Sequence, residues 1–254
     1  MKEPQKSAEN SKTAADALDQ LRVVLVRTQH PGNIGATARA MKTMGLSDLV
    51  LAAPQRPPDE RSVAMASGAT DVLEGLRQFD SLAEAVADCH RVVGVSARRR
   101  GISLDVHDAR AWAQQWSSDA PDAGRTALVF GAERTGLTNE ELALCQSAVQ
   151  IAANPEYSSL NLSQAVQILG YESRMAALGG VAGSHRPRPA DHATMEGVYQ
   201  HLEAMLVDVG FLDPNYPRHL MRRLRWLFAR AEPDKVEANI LRGMFSAVQK
   251  ARRP

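Results

Sequence analysis

Short apolar runs alternate with amphipathic stretches along the first two thirds of the chain. The runs have the length of buried β-strands, are rich in Val, Leu and Ala, and lie at residues 21–26, 49–52, 91–95, 127–130 and 148–152. The stretches between them carry apolar side chains at helical spacing, at residues 36–45, 63–69, 82–89 and 109–116. Strands that alternate with helices are typical of a parallel sheet covered on both faces. The pattern therefore predicts an α/β fold for residues 20–180.

The last apolar run leads into a segment, residues 151–172, that reads IAANPEYSSLNLSQAVQILGYE. An Asn-Pro pair predicts a turn, because proline disfavours helical geometry in the residue before it. Ser158, Ser159 and Asn161 are small hydrogen-bonding residues that suit the N-terminus of a helix, whose first amides lack partners. From Leu162 onwards the apolar residues follow a helical period. An ordinary capped helix and a ligand-binding loop at a helix N-terminus both account for this segment.

Composition sets the two ends of the chain apart. Residues 1–19 contain almost no large apolar side chains, which is typical of a mobile tail. Residues 181–190 follow a Gly-Gly pair and are rich in Arg and Pro, as linkers are. Helical patterns then return, and residues 191–254 are predicted to form a small helical extension.

The charge of this extension is uneven. The whole chain has a net charge of only +1, so contact with a nucleic acid requires a local basic patch. Residues 218–253 contain eight Arg and two Lys against three acidic residues, a local charge of +7. Arg222, Arg223 and Arg225 lie together in this stretch and suit a phosphate backbone. A solvated helix face is the alternative explanation for the same residues.

Several classes of protein are disfavoured by what the sequence lacks. No apolar run reaches the roughly 18 residues of a membrane-spanning helix, and the N-terminus is polar, so we expect neither a membrane span nor a signal peptide. Cys89 and Cys145 have no Cys or His neighbour at metal-ligand spacing and are expected to be reduced core thiols of a cytoplasmic protein. The glycine-containing loops match neither the common phosphate-binding motifs nor a nucleophile elbow.

Polar or glycine-containing loops follow four of the predicted strands, at residues 27–35, 96–101, 131–136 and 154–161. In an open parallel sheet, ligands bind where the carboxyl ends of the strands meet. These loops offer Arg, Asn, Ser and Glu side chains, and Gly131 and Gly136 permit close approach of the backbone to a ligand. The sequence therefore predicts a site for a polar cofactor and an anionic substrate, without a metal.

Three of these segments, taken together, resemble a known family. In order and spacing, the three motifs of the SPOUT class of S-adenosylmethionine-dependent RNA methyltransferases are similar to NIGATARAMKTMG at residues 33–45, LVFGAERTGL at residues 128–137 and NPEYSSLNLSQAVQ at residues 154–167. The similarity is greatest to the TrmJ branch, the tRNA (cytidine/uridine-2′-O)-methyltransferases. The appended helices of that branch resemble YQHLEAML, RRLRWLFARA and ILRG in this chain, so the resemblance covers residues 21–249.

The resemblance implies a fold and an assembly that the pattern alone does not show. SPOUT domains are tied into a trefoil knot at the carboxyl end of the sheet, a rare exception to the rule that chains do not thread through loops. They act as homodimers that bind S-adenosylmethionine in the knot and complete each active site across the subunit interface. For this branch the implied substrate is tRNA, and the implied reaction is 2′-O-methylation of the pyrimidine at position 32 in the anticodon loop.

The resemblance also implies which residues bind the cofactor and act on the substrate. Arg39 matches the catalytic arginine of the first motif. Ser159 is expected to position the ribose hydroxyl or to pass on its proton. A simple surface arginine is the alternative for Arg39. The implied cofactor pocket consists of Val95, Ser96, Ala97, Gly131, Ile151, Ser158, Ser159 and Leu160.

A second set of residues is expected to support the motifs or to contact RNA. Asn33, Glu133 and Asn161 are expected to support the motifs. For Asn33 and Glu133, bracing of the loops without a chemical role is an equal alternative. The expected RNA contacts are Arg100, Arg222, Arg223 and Arg225.

Two rival functions stay open at this point. The first keeps the enzyme class but changes the target to another tRNA position or to ribosomal RNA. The second is an RNA-binding module that has lost catalysis, against which the presence of Arg39, Gly131 and Ser159 argues.

Overall fold

A single parallel sheet forms the centre of the structure, a computed structural model that describes residues 14–96, 104–179, 187–216 and 218–252. Its strands are β1 (Leu21–Val26), β2 (Leu49–Ala52), β3 (Arg77–Phe79), β4 (Arg91–Val95), β5 (Asp105–Asp108), β6 (Thr126–Phe130) and β7 (Ser147–Gln150). They lie in the order β3-β2-β1-β6-β4-β7-β5, and every neighbouring pair is parallel.

Helices follow most of the strands and continue beyond the sheet. They are α1 (Pro31–Met44), α2 (Glu60–Ala66), α3 (Thr70–Glu74), α4 (Leu82–Ala85), α5 (Ala109–Ala123), α6 (Asn139–Ala143), α7 (Leu162–Leu178), α8 (His192–Asp208), α9 (Leu220–Ala231) and α10 (Lys235–Arg252). The predicted α/β class and the helical extension are confirmed. The trefoil knot stays a prediction, because a strand order does not record how the chain threads.

Apolar side chains cover the sheet on both faces. Successive residues of β1 belong to different core clusters, Leu25 to the first and Val24 to the second. Because successive side chains of a strand point to opposite faces, the two clusters lie on opposite sides of the sheet. The first cluster includes Ile34 of α1, Trp112 of α5 and Leu169 of α7. Because α1 follows β1 and α7 follows β7, this packing supports the loops that follow those two strands.

The sequence analysis did not predict two of the strands, β3 and β5. They form the two edges of the sheet, and most of their side chains are exposed. An edge strand with little buried surface carries no apolar run, so hydrophobic periodicity gives no signal for it. β7 also ends at Gln150 rather than at the predicted residue 152, which leaves Ile151 in the loop that follows.

The prediction that residues 21–26 are continuously apolar overlooked Arg22, whose side chain is fully buried in β1. Its guanidinium donates hydrogen bonds to the carboxylates of Asp48 and Asp88 and to the carbonyl oxygen of Ala85. A buried charge is tolerated only where it is paired and hydrogen-bonded in this way. Burial raises the pKa of Asp88, but the guanidinium groups of Arg22 and Arg125 together outweigh burial and lower the pKa to about 2.

Residues 14–18 are helical, whereas composition assigned them to a mobile tail. Ala14, Ala17 and Leu18 are buried against the first core cluster. Their spacing puts them on one face of a helical turn, and two of the three are alanines, which do not stand out in composition. Residues 1–13 of the predicted tail lie outside the described residues.

The helical extension is docked on the α/β domain through buried contacts. Trp226 of α9 is 8% exposed and packs into the second core cluster. Arg91, at the start of β4, forms ion pairs with Glu232 after α9 and with Asp119 of α5, at 2.8 and 3.0 Å. The amide of His192 donates to a carbonyl oxygen of the α/β domain at 2.8 Å. The extension therefore has a defined orientation on the sheet.

The remaining predictions concern the linker, the cysteines and the membrane. Of residues 181–190, only 187–190 are described, and there Pro189 pairs with Asp234 in an isolated bridge. Cys89 and Cys145 are free, buried thiols, and burial raises the pKa of each to about 12. Within the described ranges, every helix is too short or too polar to cross a membrane.

Candidate active site

The carboxyl ends of β4, β6 and β7 meet at one edge of the sheet, because β4 lies between the other two strands and all three are parallel. A cavity of about 200 Å³ opens there. Its walls come from the end of β4, from the loop at residues 131–137, from the loop before α7 and from the first turn of α7. This is the place where an open parallel sheet binds its ligands.

Residues from three distant parts of the chain form this cavity, as the sequence analysis expected. Seven of the eight predicted cofactor residues line it, namely Val95, Ser96, Gly131, Ile151, Ser158, Ser159 and Leu160. The eighth, Ala97, lies outside the described residues. Ser158 and Ser159 are exposed at the cavity wall, which leaves their side chains accessible to a ligand.

Part of the cavity wall was not among the predicted cofactor residues. Residues 132–137 line it as one continuous loop, and Phe130, Leu162 and Ala165 add apolar surface. The GAERTGL sequence contained the signal, because two glycines five residues apart mark a loop that turns back on itself.

The loop at residues 131–137 closes tightly on itself. The amide of Gly136 donates to the carbonyl oxygen of Ala132 at 2.8 Å, and Gly136 has a φ of 65°, in the left-handed region. A Cβ atom on Gly131 would overlap the carbonyl carbon of Gly136 and the amide nitrogen of Leu137. Glycine is therefore required at 131 by close approach of the backbone and favoured at 136 by its conformation.

Glu133 joins this loop to the start of α1. Its carboxylate accepts hydrogen bonds from the amides of Gln29 and His30 and from Nδ2 of Asn33, the last at 2.9 Å. Oδ1 of Asn33 in turn accepts from Nδ2 of Asn161 at 3.3 Å. The three predicted support residues thus form one hydrogen-bonded relay between the three motifs. These contacts favour the bracing interpretation of Asn33 and Glu133.

Both ends of the relay are fixed. Burial raises the pKa of Glu133, but the hydrogen bonds from Asn33 and from backbone amides outweigh burial and lower the pKa below its usual value. An ionised carboxylate is the form that accepts several hydrogen bonds. At the other end, Asn161 caps α7, because its side-chain oxygen accepts from the amide of Ser163 at 2.9 Å.

Arg39 lies on the exposed face of α1 and is not part of the cavity wall. Among the described residues, its guanidinium has no hydrogen bond or ion pair. Ser159, the other predicted catalytic residue, does line the cavity. A single chain therefore brings seven of the predicted cofactor residues together, and among its described residues it gives the exposed guanidinium of Arg39 no partner.

The predicted RNA-binding arginines of α9 have different surroundings. Arg222 and Arg223 are exposed, and the guanidinium of Arg222 lies 5.2 Å from the ring centre of Trp226. Arg225 forms a two-point ion pair with Glu196 of α8 and lies 4.4 Å over the ring of Tyr199. Arg225 is therefore committed to packing within the extension. Arg100 lies outside the described residues.

The described part of the chain contains no group of three or more His, Cys, Asp and Glu side chains placed to hold a metal ion.

The sequence analysis missed one charged residue near the cavity, Arg27. It lies directly after β1, donates to the carbonyl oxygen of Gly136 and pairs with Glu141. A lone arginine after a strand gives no sequence signal for such a contact.

Comparison with known proteins identifies the family. Residues 20–171 match the SpoU rRNA Methylase family, and residues 193–254 match the C-terminal domain of the tRNA methyltransferase TrmJ. The structure of TrmJ from Z. mobilis ZM4 superposes with a TM-score of 0.79 at 36% identity, covering 90% of this chain and 98% of that one. The SpoU methyltransferase AviRb from Streptomyces viridochromogenes, solved in complex with the cofactor AdoMet, superposes over 62% of this chain and 60% of its own, with a TM-score of 0.51 at 26% identity.

Curated relatives extend the match over nearly the whole chain. The tRNA (cytidine/uridine/adenosine-2′-O-)-methyltransferase TrmJ of Pseudomonas aeruginosa is 49% identical over 93% of this chain and 96% of its own length. The tRNA (cytidine/uridine-2′-O-)-methyltransferase TrmJ of Cronobacter sakazakii is 47% identical over 92% and 98%. The fold is thus that of a SpoU-type, or SPOUT, methyltransferase. Within that class, the chain belongs to the TrmJ family.

Replacement of Gly131 by alanine tests the tight closure of the loop. The added Cβ displaces the backbone of Gly136 and Leu137, so we expect Gly131→Ala to weaken S-adenosylmethionine binding by about tenfold or more, equivalent to about 1.4 kcal/mol. Isothermal titration calorimetry measures the affinity. Gly197→Ala, in α8 with open space around the position, is the control and should leave the affinity unchanged. Equal affinities for the two variants would contradict the closure.

Proposed function

We propose that this protein transfers the methyl group of S-adenosylmethionine to the ribose 2′-hydroxyl of the pyrimidine at position 32 in the anticodon loop of tRNA. The observation that carries the proposal is the convergence of the motif residues on one cavity at the carboxyl edge of the sheet. The family match across both the α/β domain and the extension supports it. We retain residues 20–180 as the catalytic unit and residues 191–254 as the tRNA-binding unit.

The cofactor is S-adenosylmethionine, and the cavity suits it. A glycine-containing loop brings backbone groups to the ligand, while Ile151, Leu160 and Leu162 offer apolar surface and Ser158 and Ser159 offer hydroxyls. S-adenosylmethionine supplies a methyl group already activated by its positive sulfur, so the proposal includes no metal. We place the protein in the cytoplasm, where its tRNA substrate is found.

Arg39 and Ser159 are the proposed catalytic residues. A ribose hydroxyl is a weak acid, so its attack on a methyl group benefits from removal of its proton. Arginine is a poor base, because the pKa of a guanidinium lies above about 12. We assign Arg39 the stabilisation of the developing negative charge on the ribose oxygen. Ser159, at the cavity wall, positions the hydroxyl or passes on its proton.

A homodimer accounts for the position of Arg39. Its guanidinium is exposed and lies outside the cavity of its own chain, as expected if it completes a site across a subunit interface. α7, whose first turn lines the cavity, also carries the exposed apolar side chains of Tyr171, Met175 and Leu178 at helical spacing. Such an uncovered apolar stripe suits packing against a second copy of the chain.

The helical extension is the proposed tRNA-binding surface. Arg222 and Arg223 are exposed on α9 and suit phosphate oxygens, while Arg225 supports the fold of the extension. Because Trp226 docks α9 on the α/β domain, the basic surface keeps a constant relation to the cavity. Arg100, which follows β4 in the sequence, stays a proposed phosphate contact.

Transfer of a tritiated methyl group to tRNA transcripts tests the reaction and its target. We expect transfer to a pyrimidine at position 32, and loss of transfer when that nucleotide carries a 2′-deoxyribose. Transcripts substituted at each other anticodon-loop position are the controls. Label at another tRNA position or only in ribosomal RNA would identify a different target. Tight tRNA binding without S-adenosylmethionine binding would identify a non-catalytic module.

Arg39→Lys tests whether Arg39 of α1 acts in catalysis while the cavity alone binds the cofactor. Lysine keeps the positive charge but loses the planar, forked donor geometry of the guanidinium. We expect kcat to fall by about a hundredfold or more, while the affinity for S-adenosylmethionine changes by less than about twofold. Single-turnover methyl transfer and calorimetry measure the two quantities. Near-normal turnover would remove Arg39 from the active site.

The double variant Arg222→Gln/Arg223→Gln tests the basic surface without exposing the core that Trp226 covers. Loss of two phosphate contacts should weaken tRNA binding and lower the slope of log K against log salt concentration by about 2. Filter binding at several salt concentrations measures both. Arg77→Gln, on the edge strand β3, is the matched control. An unchanged slope would mean that the α9 arginines only form a solvated face.

A further inference from the structure

Arg27 occupies an unusual backbone conformation at the end of β1. Its φ is 52°, in the left-handed region, where a residue with a side chain is strained. Its amide still donates to the carbonyl oxygen of Ala52 at 2.9 Å, which continues the ladder between β1 and β2 by one residue. The chain therefore leaves the sheet sharply at this point. A strained position of this kind is maintained only when surrounding contacts stabilise it.

The side chain of Arg27 provides such contacts. Nε and Nη2 donate to the two carboxylate oxygens of Glu141, at 2.6 and 3.1 Å. Nη2 also donates to the carbonyl oxygen of Gly136 at 3.1 Å. The side chains are 28% and 13% exposed, so the pair is partly shielded from water and is stronger than a pair on the open surface.

Glu141 also stabilises the start of α6, the helix that follows the loop. Its Oε2 atom accepts from the amide of Thr138 at 2.7 Å, in the capping box that begins α6. The loop at residues 131–137 therefore runs into a helix whose first turn is tied to Arg27. Because a peptide unit is planar, holding the carbonyl oxygen of Gly136 also fixes the direction of the Leu137 amide.

The loop is thus fastened at two points to the connection between β1 and α1. Glu133 is held by the amides of Gln29 and His30, and Gly136 is held by Arg27. All residues of the loop line the cavity, whereas Arg27 and Glu141 do not. The ion pair therefore has contact with the cavity only through the loop.

We propose that Arg27 and Glu141 are positioning residues, whose ion pair holds the loop at residues 131–137 in the conformation that accepts the cofactor. The proposal rests on the proposed function for the identity of that cofactor. Without Arg27, the Gly136 carbonyl loses its guanidinium donor and keeps only the long hydrogen bond from Oγ1 of Thr135 at 3.5 Å, so the loop adopts conformations in which the cavity is misshapen. Cofactor affinity then falls, because only a fraction of the molecules is competent to bind.

Arg27→Met tests the proposal, since methionine keeps an unbranched side chain and removes the charge and the donors. We expect the dissociation constant for S-adenosylmethionine to rise about tenfold, with kcat at saturating cofactor within about threefold of the parent protein. Arg27→Lys retains one charge–charge contact and should fall between the two. Calorimetry and steady-state methyl transfer measure these quantities in the full-length protein.

Hydrogen exchange distinguishes positioning from general stabilisation. In Arg27→Met without ligand, peptides covering residues 131–137 should exchange faster, while peptides of β1 and β6 should not. Arg77→Met, which removes an equivalent arginine from its ion pair with Asp48 at the far edge of the sheet, should change neither exchange of the loop nor cofactor affinity. A lower melting temperature with an unchanged dissociation constant and unchanged loop exchange would overturn the proposal.

A second variant covers the case in which Arg27→Met does not fold. Glu141→Gln keeps an acceptor for the Thr138 amide but removes the negative charge, so faster loop exchange and a several-fold weaker affinity are expected. If the parent protein itself binds no S-adenosylmethionine, the proposed function fails, and loop exchange still decides whether the ion pair holds the loop. Parent-like binding and exchange in Glu141→Gln would also overturn the positioning role.

Discussion

The carboxylate of Glu133 is the constraint on which the candidate site depends. It lies in the loop after β6 and accepts hydrogen bonds from the start of α1, where Asn33 passes the connection on to Asn161 at the start of α7. Three segments that are far apart in sequence are thereby joined around one cavity. A partly buried carboxylate is stable in this role when its acceptor positions are used, and here backbone amides and an asparagine use them.

The loop beside this carboxylate combines rigidity with a shape that few sequences can adopt. Its two glycines let the backbone fold against itself, and its contacts with the β1–α1 connection prevent the loop from opening. Parallel strands buried on both faces supply the rigid support beneath it. Loops positioned by such a rigid scaffold can hold a ligand in a fixed place.

The extension shows how one cluster of like charges can serve two purposes. Arg222 and Arg223 face solvent, whereas Arg225 closes an ion pair with Glu196 and covers the ring of Tyr199. On a helix, neighbouring residues point in different directions, so adjacent arginines meet different surroundings. Because Trp226 packs into the second core cluster, the extension is a fixed part of the molecule's surface.

The sequence by itself determined the α/β class, the central strands and the convergence of the motif loops on one edge, because buried strands and ligand loops carry strong local patterns. It missed β3 and β5, since exposed edge strands have no apolar run, and it overlooked Arg22, since pairing with Asp48 and Asp88 is decided by segments distant in sequence. Only the tertiary structure decided that Arg225 packs internally and that Arg27 holds the carbonyl of Gly136. Those outcomes depend on which partners folding brings within hydrogen-bonding distance, and local sequence does not encode that distance.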